Sequence, residues 1–187
     1  MIDLEIRKDR DCMGCYACST ICPKNCITME GNNEGFWYPK VDYDKCIECE
    51  KCIKVCPIIN KVTVNNEPIA YACINKDEEI RLESSSGGIF TLVAEEIIDN
   101  DGVVFGVGFD EDFNVVHSHV QNKDRLSKFR GSKYVQSMIG NTYRQAKEYL
   151  EQGREVLFTG TPCQIGGLKS YLGKDYDNLF CMDNICH

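Results

Sequence analysis

Eight cysteines in the first third of this 187-residue chain form two copies of one spacing pattern. Each copy reads C-x2-C-x2-C-x3-C-P, and the second copy lies 34 residues after the first. A loop with a thiolate at every third position can offer three ligands to one iron–sulfur cube, and the cysteine before the proline then binds the other cube. The two copies are Cys12, Cys15, Cys18 and Cys22, then Cys46, Cys49, Cys52 and Cys56.

This spacing predicts two 4Fe-4S clusters with crossed ligands. Neither cluster would be complete without a cysteine from the other copy, so we expect both copies to fold as one unit. The alternative is structural zinc, which usually takes two separated cysteine pairs, and three cysteines at x2 spacing do not fit it. The predicted ligand sets are Cys12, Cys15, Cys18 and Cys56 for one cluster, and Cys46, Cys49, Cys52 and Cys22 for the other.

A ninth cysteine, Cys26, stands outside the duplication, because the residue 34 positions later is Asn60. Free cysteine is one of the most frequently buried residue types. We therefore expect Cys26 to be a small core residue and not a cluster ligand.

Composition limits the class of protein. The chain carries 13 cysteines, and no apolar run approaches the ~18 residues that a membrane span requires. We expect a soluble, cytoplasmic protein, in which thiols serve metal or redox chemistry and not disulfides. The net charge of −8 makes nucleic acid an improbable partner, because phosphates would repel an acidic surface.

The first 60 or so residues resemble the bacterial-type two-cluster ferredoxins in every ligand position. On that resemblance, "CITME" at 26–30 and "KVTVN" at 61–65 are predicted to be paired strands. The aromatic stretch "EGFWYPKV" at 34–41 could form a further β-like segment that shields a cluster from water. Small residues such as Gly14 and Ala17 would let backbone N–H groups approach the sulfurs.

After residue 65 the pattern changes to strands alternating with helices. The predicted fold is α+β: a two-cluster domain at 1–64, then an α/β layered domain at 65–187 with a mainly parallel sheet and one antiparallel hairpin. Cys73 and Cys181 lie in predicted strands, so we expect both in the core. Strands are predicted at 68–74, 102–109, 114–120, 154–160 and 178–183, and helices at 87–100, 141–153 and 164–173.

Three stretches of this second domain could carry chemistry. "SSSGG" at 84–88 precedes a helix and could bind a phosphate, although an ordinary helix cap is the alternative. "KDRLSKFRGSKY" at 123–134 is basic, which indicates either an anionic ligand or a solvated face. "TPC" at 161–163 follows a strand, at the edge where open α/β sheets bind ligands.

Single residues in these regions leave several roles open. Cys163 could be a nucleophile, a cluster ligand or a structural thiol. His117 and His119 alternate along a predicted strand and therefore face the same side. We interpret them as surface histidines in preference to partners in a catalytic triad.

Four segments together resemble the beta-subunit family of coenzyme F-420 hydrogenases and dehydrogenases, in the subset with a fused two-cluster ferredoxin. They are "SSSGGIFTLVAEEI", "FRGSKYVQS", "LFTGTPCQIGGLK" and the terminal "CH". The resemblance implies an oxidoreductase with FAD and an iron–sulfur relay, and many members pass hydride to a deazaflavin coenzyme. It also implies a third 4Fe-4S cluster with Cys163 and Cys186 as ligands. The implied flavin-pocket residues are Ser85, Ser86, Gly87, Gly88, Gly131, Ser132, Lys133, Thr161, Pro162 and Gln164.

The chain departs from this family by stopping at His187, where members continue through "CHG" into a second half. We expect a truncated form or a fragment, in which a third cluster would lack a full ligand set. Two functions follow from these patterns. One is an iron–sulfur flavoprotein subunit that splits hydride into single electrons for a redox partner or catalytic subunit. The other is a non-catalytic electron-transfer module that docks to a larger redox protein.

Overall fold

The computed structural model describes residues 1–6, 9–61 and 66–185. The described residues form a small cysteine-rich unit followed by a layered α/β unit. The predicted boundary between residues 64 and 65 lies outside them. The first unit contains α1 (Ile2–Glu5), a 3₁₀ turn (Asp9–Asp11), α2 (Ala17–Ile21), β1 (Ile27–Gly31), β2 (Trp37–Val41) and α3 (Lys51–Lys54).

In the first unit, β1 and β2 form a two-stranded antiparallel hairpin in which Met29 lies opposite Pro39. The side chain of Asn32 closes the turn by accepting hydrogen bonds from the backbone N–H groups of Glu34 and Phe36, each at 3.0 Å. The aromatic stretch therefore supplies β2, the described partner of β1. Residues 62–65 of the predicted "KVTVN" strand lie outside the described residues.

The second unit is built on a four-stranded sheet with the order β4-β3-β5-β6. β3 pairs antiparallel with β4 and parallel with β5, and β5 pairs parallel with β6. This confirms the predicted α+β class, with a mainly parallel sheet that carries one hairpin. The elements are α4 (Glu78–Leu82), α5 (Ile89–Asp99), β3 (Val103–Phe109), β4 (Val115–Val120), a 3₁₀ helix (Lys123–Phe129), α6 (Thr142–Glu151), β5 (Val156–Gly160), α7 (Pro162–Leu172) and β6 (Leu179–Asp183).

Helices cover both faces of this sheet, because successive strand residues point to opposite sides. On one face, Ile97 of α5 packs with Val104 and Leu157. On the other face, α6 and α7 pack against the sheet, and Leu168 lies with Phe158 in a separate core cluster. α5 leads through a tight turn into β3, and α7 follows β5 directly, so both helices begin at the carboxyl edge of these parallel strands.

The predicted strand at 68–74 is wrong. These residues are not in a strand, and Ile69, Tyr71 and Ile74 are 76%, 79% and 67% exposed. Their apolar alternation is typical of a strand, but a strand needs a neighbour to satisfy its backbone groups, and the described residues supply none here. Cys73 is consequently exposed, and the expectation that it lies in the core is wrong.

Cys181 is also exposed, which contradicts its predicted place in the core. It lies in β6, the last strand of the described sheet, where one side has no neighbouring strand. None of the helices in the described ranges is both long enough and apolar enough to span a bilayer.

Candidate iron–sulfur centres

Two cavities in the first unit are lined by cysteines from both copies of the motif. We call the cavity beside Cys12 and Cys15 the inner cavity and the cavity beside Cys46 and Cys49 the outer cavity. Each predicted ligand set is thus brought together around its own space, with the cysteine before the proline crossing to the other copy. Cys12, Cys15, Cys18 and Cys56 line the inner cavity, and Cys22, Cys46, Cys49, Cys52 and also Cys26 line the outer cavity.

Matching backbone turns wrap the two cavities. Gly14 and Glu48 occupy equivalent positions and have φ angles of 60° and 53°. Left-handed backbone is uncommon for a residue other than glycine, so its recurrence at Glu48 shows that the loop requires this conformation. The turn directs the N–H of Gly14 to Cys12 Sγ at 3.4 Å and the N–H of Glu48 to Cys46 Sγ at 3.5 Å. This confirms the expected approach of the Gly14 N–H to a sulfur.

The cavities suit a cluster better than a single ion. Four thiolates bound to one zinc ion at ~2.3 Å would lie within about 4 Å of one another. Across the described ranges, no three His, Cys, Asp or Glu side chains are grouped in a way that could hold one metal ion. The cysteines instead surround a space, as the ligands of a cubic cluster must.

Apolar side chains complete the wall of the inner cavity. Ile2, Met29 and Ile58 lie in its wall. Burial raises the pKa of the Cys15 thiol to about 12, so the protein alone holds this thiol protonated. Because iron binds the thiolate, cluster assembly must displace that proton.

The inner cavity lies against the second unit. The hydroxyl of Tyr143, on α6, is 2.9 Å from the carbonyl oxygen of Cys15 and 2.7 Å from the carbonyl oxygen of Gln164. Gly167 of α7 permits this close approach, because a Cβ there would lie 3.0 Å from both the Cβ and the carbonyl oxygen of Cys15. Cys163 lies near the start of this same helix.

Two further side chains of the second unit fasten the first. Gln136 accepts from the N–H of Trp37 at 3.0 Å and donates to the carbonyl oxygen of Gly14 at 3.2 Å. Arg144 donates to the carbonyl oxygen of Thr20 at 2.8 Å, just before the end of α2. Sequence reasoning missed Gln136, Tyr143 and Arg144, since isolated polar or aromatic residues in a helical or loop pattern carry no signal of a distant backbone partner.

The segment around Cys163 starts α7 as expected for the carboxyl end of a strand. Pro162 occupies the first helical turn, and Cys163 Sγ lies 3.0 Å from Thr161 Oγ1. The amide of Gln164 accepts from the N–H of Thr161 at 2.9 Å, so it caps the helix. Cys186, the other candidate ligand of a third cluster, lies outside the described residues.

His117 belongs to a buried network, which corrects its interpretation as a surface residue. Its Nε2 must carry the proton, because the carbonyl oxygen of Thr159, at 3.1 Å, can only accept. Its Nδ1 accepts from the hydroxyl of Ser137 at 3.0 Å, and Ser137 in turn accepts from Gln164 Nε2 at 2.9 Å. Burial lowers the pKa of His117 to about 4, so the ring is neutral at pH 7.

His119 is also turned inward, and its ring packs on Phe105 with centroids 5.2 Å apart. Burial lowers its pKa, as do the nearby charges of Lys128 and Arg154. The prediction that both histidines face one side is therefore confirmed, but that side packs against α6, where His117 is buried and His119 is partly exposed.

The "SSSGG" and "FRGSKY" stretches meet at the start of α5. Ser85 Oγ accepts from the N–H of Ser132 at 2.7 Å, and Arg130 Nε donates to Thr91 Oγ1 at 3.1 Å. Within the part of the chain that the structure describes, no side-chain hydrogen bond caps α5, which begins after Gly88 with φ 73°. The interpretation of the serines as an ordinary cap of α5 therefore fails.

The other predicted flavin residues lie on the opposite face of the sheet. Thr161, Pro162 and Gln164 belong to the α7 side, whereas Ser85, Gly87 and Ser132 belong to the α5 side. Both groups are near the carboxyl edge of β3 and β5. One elongated cofactor lying across that edge could contact both, whereas a compact ligand would contact only one.

The duplicated cysteine loops and their two cavities define an iron–sulfur protein with two cluster sites. Comparison with known families agrees, because residues 11–59 match the 4Fe-4S dicluster domain. This segment is therefore a dicluster domain, and it supports two 4Fe-4S clusters.

Most of the chain is similar to a redox enzyme. It is 28% identical over 167 residues, or 84% of its length, to the coenzyme F420-dependent sulfite reductase of Methanocaldococcus jannaschii. The chain spans only 24% of that relative. It is also 40% identical over 68 residues to one component of the Na(+)-translocating ferredoxin:NAD(+) oxidoreductase complex of Acetobacterium woodii, and this match covers 36% of this chain and 19% of that component.

A solved structure, the F420-reducing [NiFe] hydrogenase complex of Methanosarcina barkeri, aligns with a TM-score of 0.40 and 24% identity. The alignment covers 49% of this chain and 32% of that one, and a score this low establishes no common fold. The dicluster domain and the match to the F420-dependent enzyme together confirm the resemblance predicted from the sequence. The chain thus carries a 4Fe-4S dicluster segment and is similar, over most of its length, to part of an F420-dependent enzyme.

Proposed function

We propose that this chain relays electrons between an outside redox partner and a flavin bound at the carboxyl edge of β3 and β5. The observation that carries the proposal is the contact of Tyr143 and Gly167 with Cys15, which joins the inner cavity to the start of α7. When bound, 4Fe-4S clusters supply one-electron carriers. An electron relay requires its clusters to lie close to the flavin. The contact of Tyr143 and Gly167 with Cys15 would bring the inner cluster close to the proposed flavin site.

The proposed ligands follow the two cavities. The inner cavity would hold a cluster on Cys12, Cys15, Cys18 and Cys56, and the outer cavity would hold one on Cys22, Cys46, Cys49 and Cys52. The turns at Gly14 and Glu48 would donate backbone N–H groups to ligand sulfurs in the same way at both sites.

The contact of the inner cavity with the second unit suggests the order of the relay. Cys49 and the neighbouring Ile47 are exposed at the outer cavity. Cys15 instead faces α6 and α7 of the second unit. A partner protein would therefore exchange electrons at the outer site, and the inner site would serve the flavin.

FAD is the proposed flavin, and when bound it would couple two-electron hydride transfer to single-electron steps. The uncapped start of α5 and the exposed Ser86 would hold a phosphate group. Lys133 lies in the adjoining basic stretch, where its ammonium donates to the carbonyl oxygen of Arg130 at 2.7 Å. The F420-dependent relative supports a deazaflavin coenzyme as the hydride partner.

Cys163 is proposed, with Cys186, as a ligand of a third cluster. Cys163 lies on α7, the helix whose Gly167 packs against Cys15, so that cluster would lie on the side of the inner cavity that faces the second unit.

The second candidate function is an electron-transfer module without flavin. The helix-capping role of Gln164 favours it, because the Gln164 amide and the Thr161 N–H already satisfy each other and are not free to bind a cofactor. In that case the α/β unit would serve as a docking surface.

Cofactor analysis of the chain purified without oxygen tests both functions. We expect about eight iron and eight sulfide per chain, together with stoichiometric FAD, and cluster reduction by reduced coenzyme F-420. Iron and sulfide for two clusters, with no bound flavin, would favour the electron-transfer module without flavin. Zinc without acid-labile sulfide would contradict both candidates.

A charge placed at the proposed phosphate site tests the flavin pocket. Ser86→Glu should lower FAD content at least tenfold while iron content is unchanged, because its carboxylate would compete for the α5 N–H groups. Ser86 is preferable to Gly87, where any Cβ would lie 2.5 Å from the carbonyl oxygen of Cys73. Gln152→Glu, at the end of α6, adds the same charge elsewhere and should retain FAD.

A further inference from the structure

The outer cavity holds one cysteine more than a cluster needs. Cys26 is only 4% exposed, and its Sγ lies 3.3 Å from Cys22 Sγ. The expectation that Cys26 is buried is confirmed. Cys26 also lines the outer cavity beside Cys46 and Cys49, so its thiol is in a position to affect a cluster there.

The duplication provides an internal comparison, because Asn60 occupies the position equivalent to Cys26. The Asn60 amide donates to the carbonyl oxygens of Ile53 at 2.7 Å and Cys56 at 3.2 Å. It therefore binds backbone carbonyl groups in the last turn of α3 and just after it. At this position the first copy carries a thiol against a ligand sulfur, whereas the second carries an amide against carbonyl groups.

The backbone donors do not create this difference. The N–H of Gly14 reaches Cys12 Sγ at 3.4 Å, and the N–H of Glu48 reaches Cys46 Sγ at 3.5 Å. Because these contacts are matched, they would affect the two clusters alike. The Cys26 thiol lies against a ligand sulfur of the outer site, whereas Asn60, the equivalent residue at the inner site, binds backbone carbonyl groups.

We propose that Cys26 is a positioning residue whose thiol donates a hydrogen bond to Cys22 Sγ and raises the reduction potential of the outer cluster. The inference rests on the proposed function, in which Cys22 binds iron. A metal-bound sulfur carries no proton, so Cys26 must be the donor. A donor to a ligand sulfur stabilises the more negative, reduced cluster, which moves its potential upward.

The test is a potentiometric titration, followed by electron paramagnetic resonance, of the whole chain with its clusters assembled. Cys26→Ala removes the donor and should shift one of the two cluster potentials to a more negative value, with iron and sulfide content unchanged. Cys26→Ser keeps a hydroxyl donor and should return that potential to the parent value or above it. Cys181→Ala removes an exposed thiol and should leave both potentials unchanged.

Several results would overturn this inference. Loss of a cluster in Cys26→Ala would show that Cys26 is a ligand. Unchanged potentials would show that Cys26 does not affect the reduction potential of the outer cluster. If Cys26→Ser behaves like Cys26→Ala, packing and not the hydrogen bond causes the shift. A parent chain that assembles no clusters would instead contradict the proposed function, so the two failures are distinguishable.

Discussion

The hydroxyl of Tyr143 lies 2.9 Å from the carbonyl oxygen of Cys15, across the boundary between the α/β unit and the cysteine loops. Tyr143 is fully buried, and the same hydroxyl is 2.7 Å from the carbonyl oxygen of Gln164. One side chain of α6 thus ties the first cysteine loop to the first turn of α7. The relative position of the inner cavity and the sheet edge depends on this link.

Replacement of Tyr143 by Phe should weaken that link. The change leaves two carbonyl groups without their shared donor, so the free energy of unfolding should fall by about 1–2 kcal/mol. Cluster content should not change, because Tyr143 is not among the residues that line the two cavities. Anaerobic denaturant titration measures the loss.

Tyr176→Phe is the matched control. The Tyr176 hydroxyl is buried, and no hydrogen-bond partner for it is found in the described parts of the chain. Its removal should be neutral or slightly stabilising. Equal losses in the two variants would show that the hydroxyl of Tyr143 does not hold the units together.

Two adjacent glycines of α7 should respond oppositely to alanine. At Gly167 a Cβ would lie 2.9 Å from the Tyr143 hydroxyl and 3.0 Å from Cys15, so Gly167→Ala should destabilise the chain by about 1–3 kcal/mol. At Gly166 the space within 4 Å is free, so Gly166→Ala should stabilise the helix by about 1 kcal/mol. Thermal unfolding of the pair under anaerobic conditions measures both effects. Stabilisation by Gly167→Ala would argue against close docking of the first unit.

Removal of the cysteine before each proline should damage the cluster of the opposite copy. Cys56 lines the inner cavity with Cys12 and Cys15, so Cys56→Ala should deplete the inner cluster, whereas Cys22→Ala should deplete the outer one. Iron content should fall by about half in each variant. Mössbauer or paramagnetic resonance spectra would identify the lost species, and the same species lost in both variants would contradict crossed ligation.

His117 should make the fold sensitive to acid. Its pKa is lowered to about 4 by burial, against about 6.5 in the unfolded chain. The unfolded chain therefore binds more protons between these values, so stability is complete above pH 6.5 and falls as the pH drops toward 4, by roughly 3 kcal/mol in total. His117→Gln cannot titrate, so its unfolding free energy should change less between pH 7 and pH 5. An unchanged pH slope in that variant would place the acid sensitivity elsewhere.

The cysteine loops could be predicted because their spacing is a local property. A cluster requires thiolates at fixed intervals along one loop, and both intervals and the proline are visible in "CMGCYACSTICP" and "CIECEKCIKVCP". The strands of the α/β unit were predictable for a similar reason, since "VVFGVGF" and "VLFTG" are apolar runs of strand length beside turn residues.

The same local patterns misled where a long-range partner decides the outcome. The stretch 68–74 has the alternation of a strand, yet no described strand pairs with it, and Tyr71 and Cys73 are exposed. His117 looks like an exposed polar residue in a strand, but Ser137 and the carbonyl group of Thr159 satisfy its two nitrogens and allow its burial. Sequence alone cannot supply such partners, because they lie 20 and 42 positions away.

The sequence by itself determined that this protein carries two iron–sulfur motifs and an α/β layer, because ligand spacing and hydrophobic period are written along the chain. Only the tertiary structure decided how these parts meet. The contacts of Tyr143 and Gly167 with Cys15, and of Cys26 with Cys22, depend on backbone turns and helix packing that bring the partners together. Packing fixes such distances through the excluded volume and hydrogen-bond geometry of both partners, and a one-dimensional pattern records neither.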